Sequence, residues 1–562
     1  MRVAEVVGRV LYGHGARYVF AVVGSGNFHV TNALVAAGAR FVAAAHEGGA
    51  ASMADGFART SGEVAILSVH QGPGVTNALT GITEAAKSRT PMLVLAPEAT
   101  APRSNFFVDL PALAASVGAD FVRVRATHPV EDTSAAYRAA ARGATVVLGL
   151  PLEVQQAVTE PWSGPLAPAP AVRKGPLLSD SVVEGPLPNA GPEVDALVEA
   201  LRAARRPVFV AGRGARAAGE PLIRLADECG ALLATSAAAK GLFVGNPWDL
   251  DVSGGFATPL AAELIGSADL VVAWGSTLNM WTTRHGALVP PSAVVAQVDR
   301  DSAAFGVNRP VELTVLGDVA EVARAALDRL GGAPLRATGW RTPDLGRRIA
   351  AEGRWRSVSY VDESRSGAAG VAATVDPRTL SIALDDLLPA ERTVVVDSGN
   401  FMGYPSMFLG VPDVAGFCFT QAFQSIGLGL ASALGAAVAR PDRLTVAALG
   451  DGGFVMSATE LLTAVRLALP LLVVIYDDAA YGAEVHHFGP DGHPLETVTF
   501  PDTDLAAIGR GYGCDGVTVR GVDDLGPVRD WLTGPRTRPM VVDAKISSEH
   551  GSWWLAEAFR GH

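Results

Sequence analysis

The stretch from residue 444 to residue 482 constrains the fold of this chain more than any other. An apolar run over 444–449 leads into the turn GDGG at 450–453, an amphipathic stretch follows, and a second apolar run over 471–476 ends in two aspartates. Two apolar strands joined by a helix form a parallel unit, whose strands end at the same edge of the sheet. Ligands of open α/β sheets bind at this edge. The stretch therefore predicts an α/β fold with an acidic ligand site.

The residues that this unit would bring to the edge suit a metal-bridged diphosphate. The glycines allow the backbone to approach a phosphate closely, and the N–H groups of such a turn favour an anion. Asp451 follows the first run and Asp478 the second, and Mg²⁺ takes oxygen ligands of this kind beside phosphates. The turn alone would also fit an ordinary strand–helix–strand unit, but the second carboxylate favours a metal site.

A GDG turn followed by a helix, a strand and a metal-ligating position resembles the diphosphate-binding motif of thiamine-diphosphate enzymes. The resemblance implies that the side chains of Asp451 and Asp478 and the carbonyl of Ala480 bind the metal ion, Mg²⁺. Asp478 stands where the family usually has Asn, so an oxygen ligand is kept and a negative charge is gained. The cofactor-binding residues implied here are Gly450, Asp451, Gly452, Gly453, Asp478, Ala480, Tyr481 and Gly482.

A second match lies upstream, in FVAAAHEGGAASMADGFAR at 41–59 and AILSVHQGPGVTN at 65–77. Here we expect one strand to end at Glu47 and another at His70, before a turn that contains Pro73. The two segments resemble the pyrimidine-binding domain of the same family, in the branch of acetolactate synthases and benzoylformate-type decarboxylases. The resemblance implies that Glu47 contacts the aminopyrimidine ring and promotes removal of the thiazolium proton, and that Pro73 borders the cofactor.

The third match is FQSIGLGLASA at 423–433. The resemblance implies that Ile426 holds the cofactor in its bent shape and that the carbonyl of Gln424 accepts a hydrogen bond from the aminopyrimidine amine. The stretch 414–439 carries no charge, so a membrane span has to be considered. Its glutamines, serines, threonine and glycines favour a helix packed near a cofactor instead.

Composition divides the chain into domains and linkers. Residues 161–192 contain eight prolines and read as an extended linker, and residues 331–377 form a second irregular region rich in Arg, Gly and Ser. The family order then implies three doubly wound parallel-sheet domains. They are a pyrimidine-binding domain over 1–160, a central domain over 193–330 and a diphosphate-binding domain over 378–562.

The central domain shows apolar runs at 208–211, 232–234, 270–274 and 294–298 that alternate with helical patterns, which is typical of another parallel α/β unit. The segment VFVAGRGAR at 208–216 is a weak dinucleotide pattern, and no acidic ribose partner follows the next run, which disfavours a nicotinamide oxidoreductase. Acetolactate synthases bind FAD here, but the expected arginine is not matched in GSTLNMWTTRHG, although Arg284 lies nearby. We therefore expect a structural domain without FAD.

The residues after Asp478 are expected to determine substrate selectivity. Where acetolactate synthases present Met, Val and Trp, this chain has Ala483, Glu484 and His487. Glu484 and His487 are three apart and share a helix face, and burying such groups is costly unless they are paired or used. The pattern predicts a polar substrate pocket, although a rotated helix would point both side chains to water.

Three further residues are candidates on the pyrimidine side. His70 matches a histidine that moves protons in benzoylformate-type decarboxylases, and an imidazole near its own pKa suits that role. Ser25 aligns with an active-site serine of the same enzymes, although a serine between glycines is also a common turn residue. Glu98 replaces a glutamine of acetolactate synthases, and would either border the substrate channel or cap a helix.

The chain of 562 residues is 49% hydrophobic and 18% charged, which suits a globular enzyme. A net charge of −12 without Lys/Arg runs argues against a nucleic-acid or anionic-membrane partner. The three cysteines are far apart, so no disulfide scaffold or zinc spacing exists. The N-terminal residues lack an apolar signal core, and we expect a cytoplasmic protein.

These observations predict an enzyme that uses thiamine diphosphate and Mg²⁺. It would be a carboligase or lyase that acts on a 2-oxo acid or related donor. Simple non-oxidative decarboxylation and a catalytically idle, cofactor-binding paralogue remain as alternatives. Glu47 and Asp451 lie in different domains, and relatives supply them from different subunits. The resemblance therefore implies a homodimer or homotetramer with active sites at the subunit interface.

Overall fold

The protein contains three six-stranded sheets, and every ladder between their strands is parallel. The computed structural model describes residues 1–160, 162, 191–331, 339–367 and 372–558, so the proline-rich linker expected at 161–192 lies almost wholly outside the described residues. Helices flank each sheet. This architecture confirms the predicted α/β fold of three doubly wound domains.

The first sheet has the strand order β2-β1-β3-β4-β6-β5. Its strands are β1 Tyr18–Ala21, β2 Arg40–Ala43, β3 Ala65–Ser68, β4 Met92–Glu98, β5 Asp120–Arg123 and β6 Thr145–Pro151. Its helices are α1 Val3–His14, α2 Phe28–Ala36, α3 Glu47–Ser61, α4 Pro73–Asn77, α5 Leu79–Lys87, α6 Leu110–Val117, α7 Pro129–Ala141 and α8 Leu152–Gln156. Because β2 and β3 lie on opposite sides of β1, a crevice opens at the carboxyl ends of β1 and β3.

The second sheet has the order β12-β11-β10-β7-β8-β9. Its strands are β7 Pro207–Ala211, β8 Leu232–Thr235, β9 Asp249–Val252, β10 Leu270–Trp274, β11 Val294–Asp299 and β12 Leu313–Leu316. Its helices are α9 Pro192–Ala203, α10 Gly219–Cys229, α11 Pro259–Ile265, α12 Met280–Thr283 and α13 Val319–Leu330. Four of these strands, β7, β8, β10 and β11, coincide with the apolar runs of the sequence to within one residue at each end.

The third sheet has the order β14-β13-β15-β16-β18-β17, so its crevice lies between β13 and β15. Its strands are β13 Arg392–Val396, β14 Phe417–Phe419, β15 Leu444–Gly450, β16 Leu471–Asp477, β17 Asp515–Val519 and β18 Met540–Lys545. After the helix α14 described below, its helices are α15 Pro377–Leu387, α16 Gly403–Phe408, α17 Gly429–Ala439, α18 Asp451–Ser457, α19 Leu461–Arg466, α20 Gly482–Phe488, α21 Leu505–Gly511, α22 Gly526–Thr533 and α23 Trp553–Ala558.

The region expected to be an irregular linker over 331–377 contains a helix, α14 (Pro343–Glu352). Thr342 caps its first turn by accepting a hydrogen bond from the N–H of Leu345. Ile349 is buried against the core of the second domain, and Arg348 pairs with Glu263 of α11. The expectation of an unstructured segment is therefore wrong for this part, because Ile349 gives the helix an apolar contact that a linker would lack.

The first and third domains share one hydrophobic core. Helix α3 crosses α17, and residues of both helices belong to one buried cluster with residues of both sheets. The crossing is close because glycines lie at it: a Cβ on Gly56 would overlap the carbonyl of Ser432, and one on Gly435 would overlap the carbonyl of Met53. Among the described residues, no helix is both long and apolar enough to cross a membrane.

Candidate active site

The crevice of the first sheet holds Ser25 and His70. Ser25 lies after β1 and His70 after β3, and the hydroxyl of Ser25 lies 3.3 Å from Nε2 of His70. The Nδ1 of His70 lies 2.9 Å from the carbonyl of Gln71, which can only accept a hydrogen bond. Nδ1 therefore carries the proton of the neutral ring, and Nε2 accepts from Ser25.

Glu47 is the first residue of α3 and lies close to His70. Its strand, β2, ends at Ala43, so the expectation that the strand reaches Glu47 is wrong by four residues. The side-chain amide of Asn77 donates to Oε2 of Glu47 over 3.1 Å. A Cβ on Gly74 would lie 3.4 Å from Oε1 of Glu47 and 3.0 Å from Cβ of His70, so the two side chains flank this glycine.

Pro73 starts the helix that brings Asn77 to Glu47. The preceding Gly72 has φ +65°, a conformation that favours glycine, and Pro73 occupies the first helical turn, where a missing N–H costs nothing. Pro73 itself is exposed at this turn. The Gly-Pro-Gly turn therefore orients the residue that contacts the carboxylate of Glu47.

The crevice of the third sheet holds Asp451. Gly450 ends β15, and Asp451 begins α18 with its carboxylate accepting a 3.0 Å hydrogen bond from the N–H of Ala480. Asp451 is buried, and burial together with the charge of Asp477 raises its pKa to about 7. The turn after β16 is thereby fixed to the residue after β15.

Asp477 ends β16 and Asp478 follows it, and the two aspartates have different neighbours. Asp477 accepts a 2.5 Å bond from the ammonium of Lys545 and a 2.9 Å bond from the N–H of Ala479. Asp478 instead receives a hydrogen bond from Asn400, and burial and the charge of Asp451 raise its pKa well above the ordinary value. Asp451 and Asp478 thus form a carboxylate pair whose mutual repulsion a bound cation would relieve.

The glycines of the GDGG turn are also required by packing within the chain. A Cβ on Gly452 would lie 2.5 Å from the ring of Tyr481, and one on Gly453 would lie 2.6 Å from Oδ2 of Asp397. Asp397 is fully buried, and its carboxylate accepts hydrogen bonds from the N–H groups of Ser398 and Gly427. Burial raises the pKa of Asp397 to about 6.

Gln424 and Ile426 lie in the loop between β14 and α17. Gln424 is exposed and has φ +61°, a left-handed conformation that is uncommon for a residue with a side chain. Ile426 is half-buried. Gly427 follows with φ +86°, and its N–H is held 2.8 Å from Oδ2 of Asp397. The loop is therefore anchored at the strand end of β13.

A cavity of about 350 Å³ is lined in part by Asn400, the residue that hydrogen-bonds Asp478. Its walls come from α20 and from the C-terminal segment, and the lining residues include Asn400, Ala483, His486, His487, Ser552 and Leu555. The hydroxyl of Ser552 donates to the side-chain oxygen of Asn400 over 2.7 Å. The C-terminal segment is therefore tied to the same asparagine that donates to Asp478.

The predicted substrate residues Glu98, Glu484 and His487 lie in different surroundings, and of the three only His487 lines the cavity. His487 lines the cavity, whereas Glu484 is exposed and is not among the residues that line it. Glu98 is buried at the end of β4, where both of its oxygens accept hydrogen bonds from Arg123 at 2.6 and 2.8 Å. The carboxylate of Glu98 therefore has a partner within the chain.

The glycine-rich turn of the second sheet is explained by packing. Gly214 lies against Gly275, so close that a Cβ on Gly214 would lie 2.8 Å from the Cα of Gly275. Arg284, which lies near the position expected for an FAD-binding arginine, donates to the carbonyls of Gly254 and Ala257. Its guanidinium also lies over the ring of Trp553 at 4.7 Å.

Three family models match the chain. They describe the N-terminal TPP binding domain of thiamine pyrophosphate enzymes, over residues 1–113, the central domain, over 194–326, and the C-terminal TPP binding domain, over 397–544. The chain belongs to the thiamine pyrophosphate enzyme family. Thiamine pyrophosphate is the same compound as thiamine diphosphate, so the resemblance stated from the sequence is confirmed.

Relatives of this thiamine pyrophosphate enzyme cover nearly its full length. A probable 2-ketoarginine decarboxylase of Pseudomonas aeruginosa is 30% identical over 92% of the chain and 89% of its own length. A sulfoacetaldehyde acetyltransferase of Castellaniella defragrans is 26% identical over 94% and 90%. A putative acetolactate synthase large subunit of Mycobacterium tuberculosis is 28% identical over 91% and 92%.

Three further residues of the candidate site in this thiamine pyrophosphate enzyme are not predicted from the sequence. Asn77 contacts Glu47, Asp397 holds the loop of Ile426, and His486 lines the cavity beside His487. A signal existed for His486, which is adjacent to His487, and for Asn77, which lies one helical turn after Pro73. Asp397 follows an apolar run and is the first residue beyond β13, where ligand sites of such sheets lie.

Proposed function

We propose that this thiamine pyrophosphate enzyme cleaves or forms a carbon–carbon bond next to the carbonyl of a polar 2-oxo acid or related donor. The observation that carries this proposal is the cavity lined by His486 and His487 next to Asn400, which hydrogen-bonds Asp478. The two imidazoles and the amide of Asn400 lie among apolar lining residues, and this combination suits a substrate with an apolar chain that carries its own polar group. Ligation to a second carbonyl is the favoured outcome, as in acetolactate synthases.

The metal ion in this proposal is Mg²⁺. Asp451 and Asp478 would hold it with their side chains and Ala480 with its carbonyl, and the cofactor's phosphates would complete the oxygen ligands. The raised pKa values of both aspartates support a cation at this site, because burial and neighbouring carboxylates, Asp477 for Asp451 and Asp451 for Asp478, disfavour their ionised forms. When bound, thiamine diphosphate supplies the electron sink for cleavage of the bond.

The residues of the first crevice have proton-transfer roles in this proposal. Asn77 orients the carboxylate of Glu47, which would share a proton with the aminopyrimidine ring. His70 carries its proton on Nδ1, so its Nε2 is available to accept a proton, with Ser25 as its neighbour. General acid–base groups of this kind contribute roughly 10²- to 10⁴-fold to a rate.

The names of the relatives support a polar substrate. The 2-ketoarginine decarboxylase is named for a substrate with a guanidinium group, and the sulfoacetaldehyde acetyltransferases for one with a sulfonate group. Simple decarboxylation is the second candidate, because the first of these relatives, at 30% identity, is named as a decarboxylase. In either reaction the two imidazoles of the cavity would contact the polar end of the donor.

The active site in this proposal forms between two copies of the chain. In one chain Glu47 contacts Asn77 in the first crevice, whereas Asp451 contacts the N–H of Ala480 in the third crevice. The loop and helix beside the third crevice also expose apolar side chains, with Phe423 at 44% and Val455 and Met456 at 57% each. A second copy would cover these side chains and bring its own Glu47 to the metal site, giving a homodimer or homotetramer.

We also propose the boundaries 1–160, 193–330 and 378–562 for the pyrimidine-binding, central and diphosphate-binding domains. The central domain would have a structural role. We further expect the protein to act in the cytoplasm on small-molecule substrates, without nucleic-acid or membrane partners.

A panel of donors tests the reaction. The purified protein is incubated with thiamine diphosphate, Mg²⁺ and 2-oxo acids that end in methyl, carboxylate, hydroxyl, ammonium or guanidinium groups. We expect carbon dioxide release with a polar donor, and product masses that separate an aldehyde from a ligated product. The same assay on Asp451→Ala is the control for cofactor dependence. Cofactor binding without any turnover across the panel would favour the idle paralogue over this proposal.

A further inference from the structure

We propose that Glu84 and Glu460 are positioning residues that hold the cofactor-contacting segments across the boundary between the first and third domains. Each glutamate belongs to one domain and binds the backbone next to a candidate site residue of the other domain. Glu460 holds the residues before Glu47, and Glu84 holds the residues before Gln424. This inference rests on the proposed function, because Glu47 and Gln424 act there on the cofactor.

Glu460 is only 2% exposed and lies in the turn between α18 and α19. Its carboxylate accepts hydrogen bonds from the N–H of Ala45 at 3.1 Å and from the N–H of His46 at 3.0 Å. Thr463 adds a third bond, from its hydroxyl, at 3.0 Å. The two backbone donors are the residues immediately before Glu47, so Glu460 sets the position at which α3 begins.

The surrounding residues support this role for Glu460. A Cβ on Gly49 would overlap the carboxylate of Glu460, so glycine leaves the space that the carboxylate needs. The carbonyl of Ala43, the last residue of β2, accepts a hydrogen bond from Arg466 and shares the single hydroxyl proton of Thr463 with Glu460. The whole connection between β2 and Glu47 is therefore held by the segment that follows Asp451 in sequence.

Glu84 makes the corresponding contact in the other direction. It is 1% exposed in α5 and accepts hydrogen bonds from the N–H of Ala422 at 3.1 Å and of Phe423 at 2.6 Å. Arg59 of α3 donates to the same carboxylate at 2.7 Å and to the carbonyl of Phe419 at 2.9 Å. The attraction of Arg59 lowers the pKa of Glu84 against the effect of burial, so the carboxylate is ionised when it holds the loop.

The conformation of Gln424 explains why its loop needs such a contact. A φ of +61° is unfavourable for a residue with a Cβ and persists only where the surroundings enforce it. The N–H of Phe423 is held by Glu84 on one side, and the N–H of Gly427 is held by Asp397 on the other. These two carboxylates from different domains therefore fix the direction of the Gln424 carbonyl.

A purely structural role at the domain boundary predicts something different. Removing a structural contact would lower the unfolding temperature and would weaken cofactor binding and cofactor activation together. A positioning role predicts separate effects. Glu460 acts on the residue that activates the cofactor, whereas Glu84 acts on the loop that binds it. The two functions can be measured separately, before any substrate is added.

The experiment compares Glu460→Ala, Glu460→Gln and Glu84→Gln with the unaltered full-length protein. Calorimetric titration with thiamine diphosphate and Mg²⁺ gives the Kd of the cofactor. Exchange of the thiazolium C2 proton in D₂O, followed by NMR after an acid quench, gives its activation without a substrate. Glu220→Ala, which removes an exposed carboxylate of the central domain paired with Arg224, is the matched control.

We expect Glu460→Ala to slow the C2 exchange by roughly 10- to 100-fold, the scale of a hydrogen bond to a charged group, with an almost unchanged Kd. Glu460→Gln keeps one accepting oxygen and should restore part of the rate. Glu84→Gln should raise the Kd by about tenfold. Equal losses of affinity and exchange, in proportion to a lowered unfolding temperature, would overturn the inference.

A different result would contradict the proposed function. An unaltered protein that exchanges the C2 proton but converts no 2-oxo acid would overturn the proposed function, and the effects of Glu460 on exchange would still be measurable. If Glu460→Ala does not fold, Glu460→Gln decides the inference, because it retains the side-chain volume. A Glu460→Gln protein with unaltered exchange and affinity would then contradict the role of this carboxylate.

Discussion

Asp477 and Asp478 are adjacent in sequence, but they make different contacts. Asp477 neutralises Lys545 in the interior, while Asp478 lies beside Asp451 and Asn400. Strand geometry explains the division, because successive side chains at the end of a strand point to opposite faces. A metal ion at this position would therefore be bound by Asp478 and Asp451, with Asp477 left in its ion pair.

Asp451→Ala should abolish Mg²⁺-dependent binding of thiamine diphosphate. Without this carboxylate the metal ion loses one of its two acidic ligands, and the diphosphate is repelled by Asp478. Calorimetric titration in the presence of Mg²⁺ measures the effect, and Asp530→Ala, an exposed acid of the same domain, is the control. An unchanged affinity in Asp451→Ala would refute the metal site.

Glu47→Gln should retain the cofactor but lose turnover, by on the order of 10²-fold or more. An amide can still contact Asn77, but it cannot share a proton with the ring nitrogen as a carboxyl group can. Steady-state rates and a cofactor titration on the same preparation separate the two effects. Glu63→Gln, which alters an exposed acid just beyond α3, should behave like the unaltered protein. Near-normal turnover in Glu47→Gln would mean that a group other than Glu47 shares the proton with the ring nitrogen.

Residues that belong to local motifs can be predicted from the sequence, whereas residues whose partners are far away along the chain cannot. Asp451 and Glu47 stand in short sequence motifs, so a site role could be predicted for each of them from the sequence alone. Glu84 and Glu460 are 338 and 414 residues away from their partners Ala422 and His46. No local pattern marks a carboxylate whose ligand is the backbone of another domain.

The crossing of α3 and α17 depends on small residues. Gly435→Ala should lower the free energy of unfolding by about 1–3 kcal/mol, because its Cβ would overlap the backbone of Met53 in a packed core. Urea or thermal unfolding measures the change. Gly511→Ala is the matched control, since no atom lies within 4 Å of a Cβ placed there. Equal stability of the two variants would show that the crossing can relax.

Helix α20 offers a test of substrate selectivity. His487 lines the cavity and Glu484 does not, so His487→Trp should shift selectivity from polar donors toward small apolar 2-oxo acids. Glu484→Val should leave selectivity nearly unchanged and serves as the matched control. The ratio of kcat/KM for a polar donor and for pyruvate measures the shift. A larger change in Glu484→Val would place the selective contact outside this cavity.

Element boundaries were the weaker part of the sequence prediction. Apolar runs located β10 and β15 within one residue, because buried parallel strands have a continuous apolar signature. Helix α14 was missed because its sequence, PDLGRRIAAE, has a single buried side chain, Ile349, and otherwise reads as a charged linker. The orientation of α20 was only partly predicted, since which face meets a cavity depends on the C-terminal segment that packs against it.

At the scale of the whole molecule, we expect activity only in an assembly of at least two chains. Sedimentation of the active protein should give a mass of at least twice 58.0 kDa. Mixing Glu47→Gln and Asp451→Ala subunits should restore about a quarter of the activity, because half of the dimers are mixed and each has one intact site. An active 58.0 kDa monomer, or a mixture without recovery, would contradict a site between chains.

The core shared by α3 and α17 has a consequence for synthesis on the ribosome. Helix α3 is complete after residue 61, but its partner helix begins only at residue 429. Until then the nascent first domain exposes an apolar face that its own sheet does not cover. Exposed surfaces of this kind make folding intermediates prone to aggregation. A chain that stops in the central domain should therefore need a chaperone, whereas the finished chain buries this face itself.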